Sequence, residues 1–168
     1  EEAAREALAA VNADPALYLA RQVDREAKGP RVTMPDGTSV ARIPGYHHWM
    51  WDGEFCGSIG FRWQPGTTAL PPTCLGHIGY SVVPWKRRRG YATLALRQLL
   101  PIVRKEGLPW VEITTDLSNA ASRRVIEANG GVLVGRFVKP AVHGATEGLR
   151  FRIMFDEIPE SAGSAAIS

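Results

Sequence analysis

One segment of this chain, residues 77–92, constrains the fold more than any other. It joins an alternating strand pattern, a run of basic residues that ends at Arg89, and a helix that starts after Gly90. Backbone N–H groups at a helix N-terminus have no partner within the helix and carry partial positive charge. Gly90 lets a ligand approach the backbone closely, and Ala92 keeps the first turn free of bulk. The segment therefore predicts a helix start that binds phosphate.

The rest of the chain supplies the elements around this segment. Residues 1–28 have the pattern of two helices, separated where Asp14 can cap the second helix and Pro15 can open it. Asp52 and Gly53 predict a two-residue hairpin turn. The further predicted strands cover residues 46–51, 55–63, 75–83, 110–115, 132–138 and 149–155, and the further predicted helices cover residues 90–106 and 118–129. This order predicts an α/β fold with a mixed sheet and a parallel crossover at its centre.

Composition and charge exclude several classes of protein. The 168 residues suffice for one domain, and a hydrophobic content of 45% is normal for a globular protein. No apolar run has the length of a membrane span, and the acidic start lacks the features of a signal peptide. Cys56 and Cys74 are the only cysteines, and we expect both to be reduced, which predicts a cytoplasmic location. The net charge of +3 comes mainly from one run of basic residues, which argues against a nucleic-acid binder.

Two sequence motifs in residues 75–138 indicate what the helix start binds. The nucleotide-binding motifs G-x-x-x-x-G-K-[ST] and G-x-G-x-x-G are both absent. The first motif present is Arg-x-x-Gly-x-Ala, at Arg87, Gly90 and Ala92. The second is an asparagine at a helix start with a small residue, a glutamate and a glycine at fixed spacing, matched by Asn119, Ser122, Glu127 and Gly130. Together these two motifs resemble the hallmarks of the GNAT acyltransferase superfamily. The resemblance rests on residues 75–138, and the sequence of residues 76–80 is similar to that of a bacterial subgroup of predicted acetyltransferases whose substrates are mostly undefined.

The resemblance implies a fold, a donor and a class of acceptor. It implies one domain over residues 1–158, with a helical part at 1–45, a coenzyme A-binding core at 75–138 and a flexible tail at 159–168. The sheet would be mostly antiparallel, with two central parallel strands that splay apart and helices on both faces. The donor would be acetyl-CoA, without a metal ion, and the acceptor an amine-bearing small molecule or peptide rather than nucleic acid or membrane. Relatives are often dimers, which leaves a homodimer open.

The resemblance also implies which residues contact the donor. Pantetheine would pair with the backbone of Val82 and Val83 as it lies between the splayed strands. Asn119 and Ser122 would lie beside the pantetheine arm and the sulfur. The pyrophosphate would be held by the basic turn and the helix start, namely Arg87, Arg88, Arg89, Gly90, Tyr91 and Ala92.

Acyl transfer to an amine needs a group that accepts the amine proton and a donor for the developing oxyanion. Related enzymes often carry a glutamate base near the position that His77 occupies, and histidine suits this role near neutral pH. The alternative for His77 is a histidine hydrogen-bonded within the sheet. Glu112 and Glu54 are the other candidates for the base, although each is expected to be a surface carboxylate. A backbone N–H near Val82 is the candidate oxyanion donor.

One position departs from the superfamily pattern. Many relatives have a tyrosine seven residues after the helix asparagine, where it protonates the leaving thiolate, but this chain has Ile126 there. Water, Ser122 or another tyrosine such as Tyr80 would have to take this role. The departure also keeps open a second function, a module that binds acyl-CoA without transferring the acyl group.

Aromatic residues near the predicted turn suggest where an acceptor binds. Trp49 and Trp51 are the candidates for an aromatic acceptor pocket, and core packing is the alternative for at least two of the four tryptophans in this region. The neighbouring histidines His47 and His48 are not expected to share a metal ion, because adjacent strand residues point to opposite faces.

Overall fold

The computed structural model describes residues 2–155, with side chains from residue 5 onward. The predicted tail 159–168 therefore lies outside the described residues. The helices are α1 (Glu2–Ala13), α2 (Pro15–Ala20), α3 (Tyr91–Arg104) and α4 (Ala120–Glu127). The strands are β1 (Val23–Asp24), β2 (Val32–Thr33), β3 (Ser39–Val40), β4 (Gly45–Trp51), β5 (Phe55–Arg62), β6 (Ile78–Val82), β7 (Trp110–Asp116), β8 (Val132–Val138) and β9 (Glu147–Met154).

The strands form two antiparallel sheets and a small hairpin within one mixed α/β domain. The first sheet has the order β1-β4-β5-β6, the second has the order β7-β9-β8, and β2 pairs with β3. Helix α3 connects the edge strand β6 of the first sheet to the edge strand β7 of the second. The β6–α3–β7 segment is therefore the parallel crossover that the element order predicts, and it connects the two sheets.

The main core lies between α3 and one face of the sheets. Leu96, Leu99 and Val103 recur at helical spacing on α3 and are buried. Val111 and Ile113 alternate on β7 and are buried against the same core. Burial of each such leucine is worth about 1.5–3 kcal/mol, so this helix face fixes α3 against both sheets.

The N-terminal part differs from its prediction in extent. The Asp14 side chain caps α2 by accepting a hydrogen bond from the Leu17 N–H at 2.9 Å, as the sequence predicts. However, α2 ends at Ala20, and residues 23–24 pair with the edge strand β4. Backbone pairing along this open edge replaces the helix that was predicted to reach residue 28, so residues 1–45 are helical only in their first half.

Two local predictions are modified by neighbouring structure. Trp51 pairs with Phe55, so the predicted two-residue turn at Asp52 and Gly53 is a three-residue connection beside an irregularity in the β4–β5 register. Pro101 lies inside α3, which continues to Arg104. Pro101 is exposed, so water can satisfy the carbonyl that loses its helical hydrogen bond there.

A pair of hydrogen bonds between His77 and Glu112 joins the two sheets. The His77 backbone N–H donates to the Glu112 carbonyl at 2.8 Å, and the Glu112 backbone N–H donates to His77 Nδ1 at 3.0 Å. Gly76 permits this approach, since a Cβ at that position would lie 2.9 Å from the Glu112 carbonyl oxygen. Elsewhere in the sheets, the paired hydrogen bonds of neighbouring strands are made by backbone groups alone. Here the His77 ring supplies the acceptor for one of the two hydrogen bonds.

Replacement of His77 by leucine tests this contact. We expect His77→Leu to lower the free energy of unfolding by about 1–3 kcal/mol, because the Glu112 N–H loses its acceptor. Urea unfolding monitored by tryptophan fluorescence measures the change. His48→Leu, at an exposed histidine, is the matched control and should change stability by less than about 0.5 kcal/mol. Equal stability of the two variants would contradict the role of the His77 ring.

Candidate active site

The centre of the site is the gap that opens between β6 and β7. The strands touch at His77 and Glu112, and among residues 2–155 no backbone hydrogen bond joins them beyond that point. Further along β6, the Tyr80 side chain reaches past the gap to the start of α4, where its hydroxyl lies 2.8 Å from Ser122 Oγ. The sheets are therefore joined at one end and apart at the other, which is the splayed geometry that was predicted.

The backbone of β6 presents hydrogen-bonding groups to this gap. The Val83 N–H donates to the Cys56 carbonyl at 2.9 Å, so Val83 is bonded into the first sheet. Backbone groups along an antiparallel strand alternate in direction, which turns those of Tyr80 and Val82 away from β5 and toward the gap. Of the two residues predicted to pair with pantetheine, Val82 has the suitable orientation.

The turn after β6 leaves backbone N–H groups at the start of α3 available to bind an anion. Gly90 is the N-cap residue and has a left-handed backbone with φ of 82°, a conformation that costs glycine least. The first helical hydrogen bond runs from the Leu94 N–H to the Gly90 carbonyl at 3.0 Å. The N–H groups of Tyr91, Ala92 and Thr93 precede it and are the donors that a helix N-terminus offers to phosphate.

Three arginines surround this helix start. Arg87, Arg88 and Arg89 are all exposed. Arg87 Nε donates to the Val82 carbonyl at 3.0 Å, which lays its side chain along the end of β6 beside the gap. Their guanidinium groups can therefore meet phosphate oxygens that approach the helix start.

The first residue of the basic run, Lys86, points inward instead. Its ammonium lies 2.9 Å from Asp52 Oδ1 and 3.0 Å from Glu54 Oε2, both in the β4–β5 connection. The Tyr91 hydroxyl also donates to Asp52. The hydrogen bonds from Tyr91 and then Lys86 hold the pKa of Asp52 well below its usual range. This cluster, comprising Asp52, Glu54, Lys86 and Tyr91, ties the turn and the first residue of α3 to the neighbouring hairpin.

The start of α4 closes the other side of the gap. Asn119 caps the helix, with its side-chain oxygen accepting the Ser122 N–H at 3.0 Å. Burial raises the pKa of Tyr80, although its hydrogen bond to Ser122 acts in the opposite direction. Tyr80 is therefore a protonated phenol at neutral pH and a hydrogen-bond partner for Ser122. Ile126, at the position where many relatives have tyrosine, is fully buried in the core.

His77 does not have the surroundings of a general base. Its side chain is 1% exposed, and its Nδ1 is occupied by the Glu112 N–H. Burial lowers the pKa of His77, with the nearby Glu112 charge acting in the opposite direction. The geometry favours the alternative stated above, a histidine bonded within the sheet. Glu112 itself is paired with Arg152 at 2.9 Å, and Glu54 belongs to the Lys86 cluster, so neither carboxylate is unpaired.

A family model for the GNAT acetyltransferase domain matches residues 2–132, which is more than half of the chain. This chain belongs to the GNAT acetyltransferase family. Members of this family use acetyl-CoA as the acyl donor.

Solved structures support the same fold. The microcin C7 self-immunity acetyltransferase MccE, solved with acetyl-CoA and AMP, has a TM-score of 0.55 at 14% identity, covering 66% of this chain and 61% of its own. RimJ from Mycobacterium smegmatis, solved with CoA-disulfide, has a TM-score of 0.55 at 26% identity, covering 69% of this chain and 56% of its own. RimL, a ribosomal L7/L12 alpha-N-protein acetyltransferase solved with coenzyme A, has a TM-score of 0.53 at 19% identity, covering 67% of this chain and 63% of its own.

The structural matches cover only part of each related protein. This GNAT chain spans 56% to 63% of the length of these three proteins. No curated protein matches its sequence. Within residues 2–155, no group of three or more metal-binding side chains is arranged around a common point, and no helix there has the length and hydropathy of a membrane span.

Trp49 and Trp51, the two predicted acceptor residues, line one pocket of about 410 Å³ against α3 in this GNAT domain. Trp49 packs against Tyr18 of α2 and Phe55, with ring centroids 5.8 Å and 5.3 Å away. Trp63 is stacked on Phe61 in the core, while Trp51 is 63% exposed. Trp63 therefore has a packing role, Trp49 packs against its neighbours and also lines the pocket, and Trp51 is the more accessible of the two predicted acceptor residues.

A groove on the opposite face of the first sheet was missed from the sequence. It has a volume of about 590 Å³ and lies on the side of β4 and β5 that points away from α3. His47 and Arg62 line it from the sheet, and Met34, Cys74 and His143 line it from the surrounding loops. The signal for it was the alternation that puts His47, Gly60 and Gly79 on one face, but it becomes visible only when the strand register is known.

The Lys86 cluster leads to a prediction about donor binding. We expect Asp52→Asn to weaken coenzyme A binding about three- to tenfold, because Lys86 and Tyr91 lose the carboxylate that holds the turn. Because the folded-state pKa of Asp52 lies below its ordinary value of 3.8, the contact is intact above that pH and is lost only as the pH falls through the folded-state pKa. Calorimetric titration with coenzyme A at neutral pH measures the affinity.

Glu54→Gln is the matched control for this prediction. Glu54 contacts the same lysine, but its side chain is 74% exposed, so its removal should change the affinity much less. Equal losses in the two variants, or no loss in Asp52→Asn, would contradict the positioning role of Asp52.

Proposed function

We propose that this GNAT domain transfers the acetyl group of acetyl-CoA to a primary amine by direct attack within a ternary complex. The observation that carries the proposal is the gap between β6 and β7, which opens directly beside the free N–H groups of Tyr91 and Ala92 and three exposed arginines. Phosphate groups would bind at the turn, and the pantetheine arm would then lie along the gap toward Ser122.

The reaction needs one oxyanion donor and two proton transfers. The amine nitrogen attacks the thioester carbonyl, a C–N bond forms, and the C–S bond breaks as the thiolate leaves. The Val82 N–H, which points into the gap, is the candidate donor to the carbonyl oxygen during this step. The amine proton must pass to a base, and the thiolate must gain a proton.

Tyr80 and Ser122 are the candidates for protonating the thiolate. They form a hydrogen-bonded pair across the gap, and Tyr80 retains its proton at neutral pH because burial raises its pKa. This pair supplies a hydroxyl donor where Ile126 replaces the tyrosine of many relatives. It favours an active transferase over a module that only senses acyl-CoA.

The acceptor proposal is limited to its chemical class. Amines on a small molecule or on a peptide fit the groove that lies on the face opposite the phosphate-binding turn. RimL acts on the alpha-amino group of a ribosomal protein, which makes peptide N-termini a first group to test. A cytoplasmic location and the absence of nucleic-acid and membrane partners remain part of the proposal.

Titration of acetyl-CoA into the wild type and the Arg87→Ala/Arg89→Ala variant tests the phosphate-binding turn. We expect affinity to fall at least about tenfold in the variant, equivalent to ~1.4 kcal/mol, because charge-assisted contacts to phosphate are lost. Arg97→Ala, at an exposed arginine further along α3, controls for the change in net charge. An unchanged affinity in the double variant would contradict the assignment of the turn.

An amine screen tests catalysis, using release of free CoA thiol with amino acids, polyamines and peptides bearing free N-termini. Transfer to at least one amine is the expected result. Tight acetyl-CoA binding with no transfer and no hydrolysis would instead support the sensing module.

Tyr80→Phe tests the proton donor. We expect kcat with the best amine of the screen to fall about tenfold or more, since the thiolate loses its general acid, while acetyl-CoA affinity changes little. Ser122→Ala should lower kcat in the same direction because Tyr80 loses the Ser122 hydroxyl and keeps only the backbone carbonyl of residue 122, 3.2 Å away, as a partner. An unchanged kcat in Tyr80→Phe would assign thiolate protonation to water.

A further inference from the structure

A row of three residues crosses the open face of the first sheet. His47 of β4 pairs with Gly60 of β5, and Gly60 pairs with Gly79 of β6. Directly paired residues lie on the same face of a sheet, and the neighbours of Gly60 along β5, Ile59 and Phe61, are buried in the core on the other face. The row therefore runs from β4 across β5 to β6, the strand at the edge of the gap.

The His47 imidazole lies over Gly60. A Cβ built on Gly60 would be 2.3 Å from His47 Cδ2 and 2.4 Å from Nε2, so only a glycine allows the ring to occupy this place. The ring of a β4 residue thus extends across β5 toward β6. Neighbouring strands are about 4.8 Å apart, so the imidazole is roughly one strand spacing from Gly79.

The groove gives this imidazole access to an acceptor. His47 and Gly60 form part of its floor, and its volume of about 590 Å³ suits a small molecule or the end of a peptide. Gly79 is exposed on the same face and has no side chain of its own, and a Cβ there would lie 3.5 Å from Arg62 Nη2, so the path from the groove to the gap runs beside the Arg62 guanidinium. An amine in the groove would approach the thioester from the side opposite α3.

We propose that His47 is the general base that accepts the amine proton, a role that rests on the proposed acetyl transfer. As the amine attacks and the C–S bond breaks, the proton leaves the nitrogen for the His47 imidazole, directly or through one water. The thiolate receives its proton from the Tyr80 and Ser122 side of the gap. His47 thereby takes the role that the buried His77 cannot fill.

The charges around His47 favour its neutral form. His47 is an exposed residue, but partial burial of its ring lowers its pKa from the ordinary 6.5, and the positive charges of Arg62 and Arg42, followed by His48, act in the same direction. Asp24 faces Arg42 at 3.6 Å. The other titratable groups that line the groove are Arg21, Cys74 and His143. A free imidazole at neutral pH is the form that a general base requires.

The pH dependence of kcat/KM in His47→Gln and His48→Gln tests the role of His47. The amine is the best acceptor of the screen above. In wild type and His48→Gln, we expect kcat/KM to fall with decreasing pH through a midpoint below 6.5, as His47 gains its proton. His48 is a matched control because it lies on the same strand but lines a separate pocket against α3.

In His47→Gln we expect kcat to fall about 10²-fold or more and the acidic limb to disappear. Acetyl-CoA affinity should be unchanged, since His47 lies on the face opposite the phosphate-binding turn. A His47→Gln variant that keeps both its rate and its acidic limb, while the wild type transfers acetyl groups, would overturn the role of His47 and leave the proposed function intact.

Hydrolysis of acetyl-CoA without an amine provides a second readout, with water as the nucleophile. The same loss in His47→Gln is expected there, so the role is tested even when no amine in the screen is accepted. A wild type that neither acetylates an amine nor hydrolyses acetyl-CoA would overturn the proposed function, and the role of His47 with it.

Discussion

The whole site depends on one contact, the pair of hydrogen bonds between His77 and Glu112. They join the two sheets where β6 and β7 begin, and nothing in the described residues continues that pairing along the strands. A sheet closed along its full length would leave no room for a ligand between the strands. Because the strands are fixed at one end and open at the other, a gap forms between them. The hydrophobic core holds the two strands that line this gap. The edge of β6 that faces the gap keeps its backbone N–H groups available to a ligand. The hydrogen bonds that hold the two sheets together therefore also define the closed end of the gap between β6 and β7.

The four basic residues at positions 86–89 have two different roles beside this gap. Lys86 turns inward and is neutralised by carboxylates of the neighbouring hairpin, which fixes the turn in place. The three arginines that follow remain exposed and can meet phosphate. Four consecutive cations would repel one another if all faced the same ligand-free surface, so placing the first against Asp52 both relieves that repulsion and orients the others.

Local signals made part of this arrangement predictable. Gly90 before a helix and Asn119 as a cap depend on a few neighbouring residues, so the turn that begins α3 and the start of α4 could be inferred from the sequence. The two histidines could not be assigned in this way. Burial of His77 depends on Glu112, 35 positions away along the chain, and the orientation of His47 depends on a glycine in the adjacent strand. The length of α2 was also overestimated, because pairing of residues 23–24 with β4 is a tertiary effect that outweighs local helix preference.

A crystal structure of this chain with coenzyme A tests the central claim most directly, because the claim concerns where the ligand lies. We predict pyrophosphate oxygens about 2.7–3.2 Å from the backbone nitrogens of Tyr91 and Ala92, the pantetheine arm paired with Val82, and the sulfur beside the hydrogen-bonded pair of Tyr80 and Ser122. Coenzyme A bound at another surface, with β6 and β7 enclosing only solvent, would contradict it.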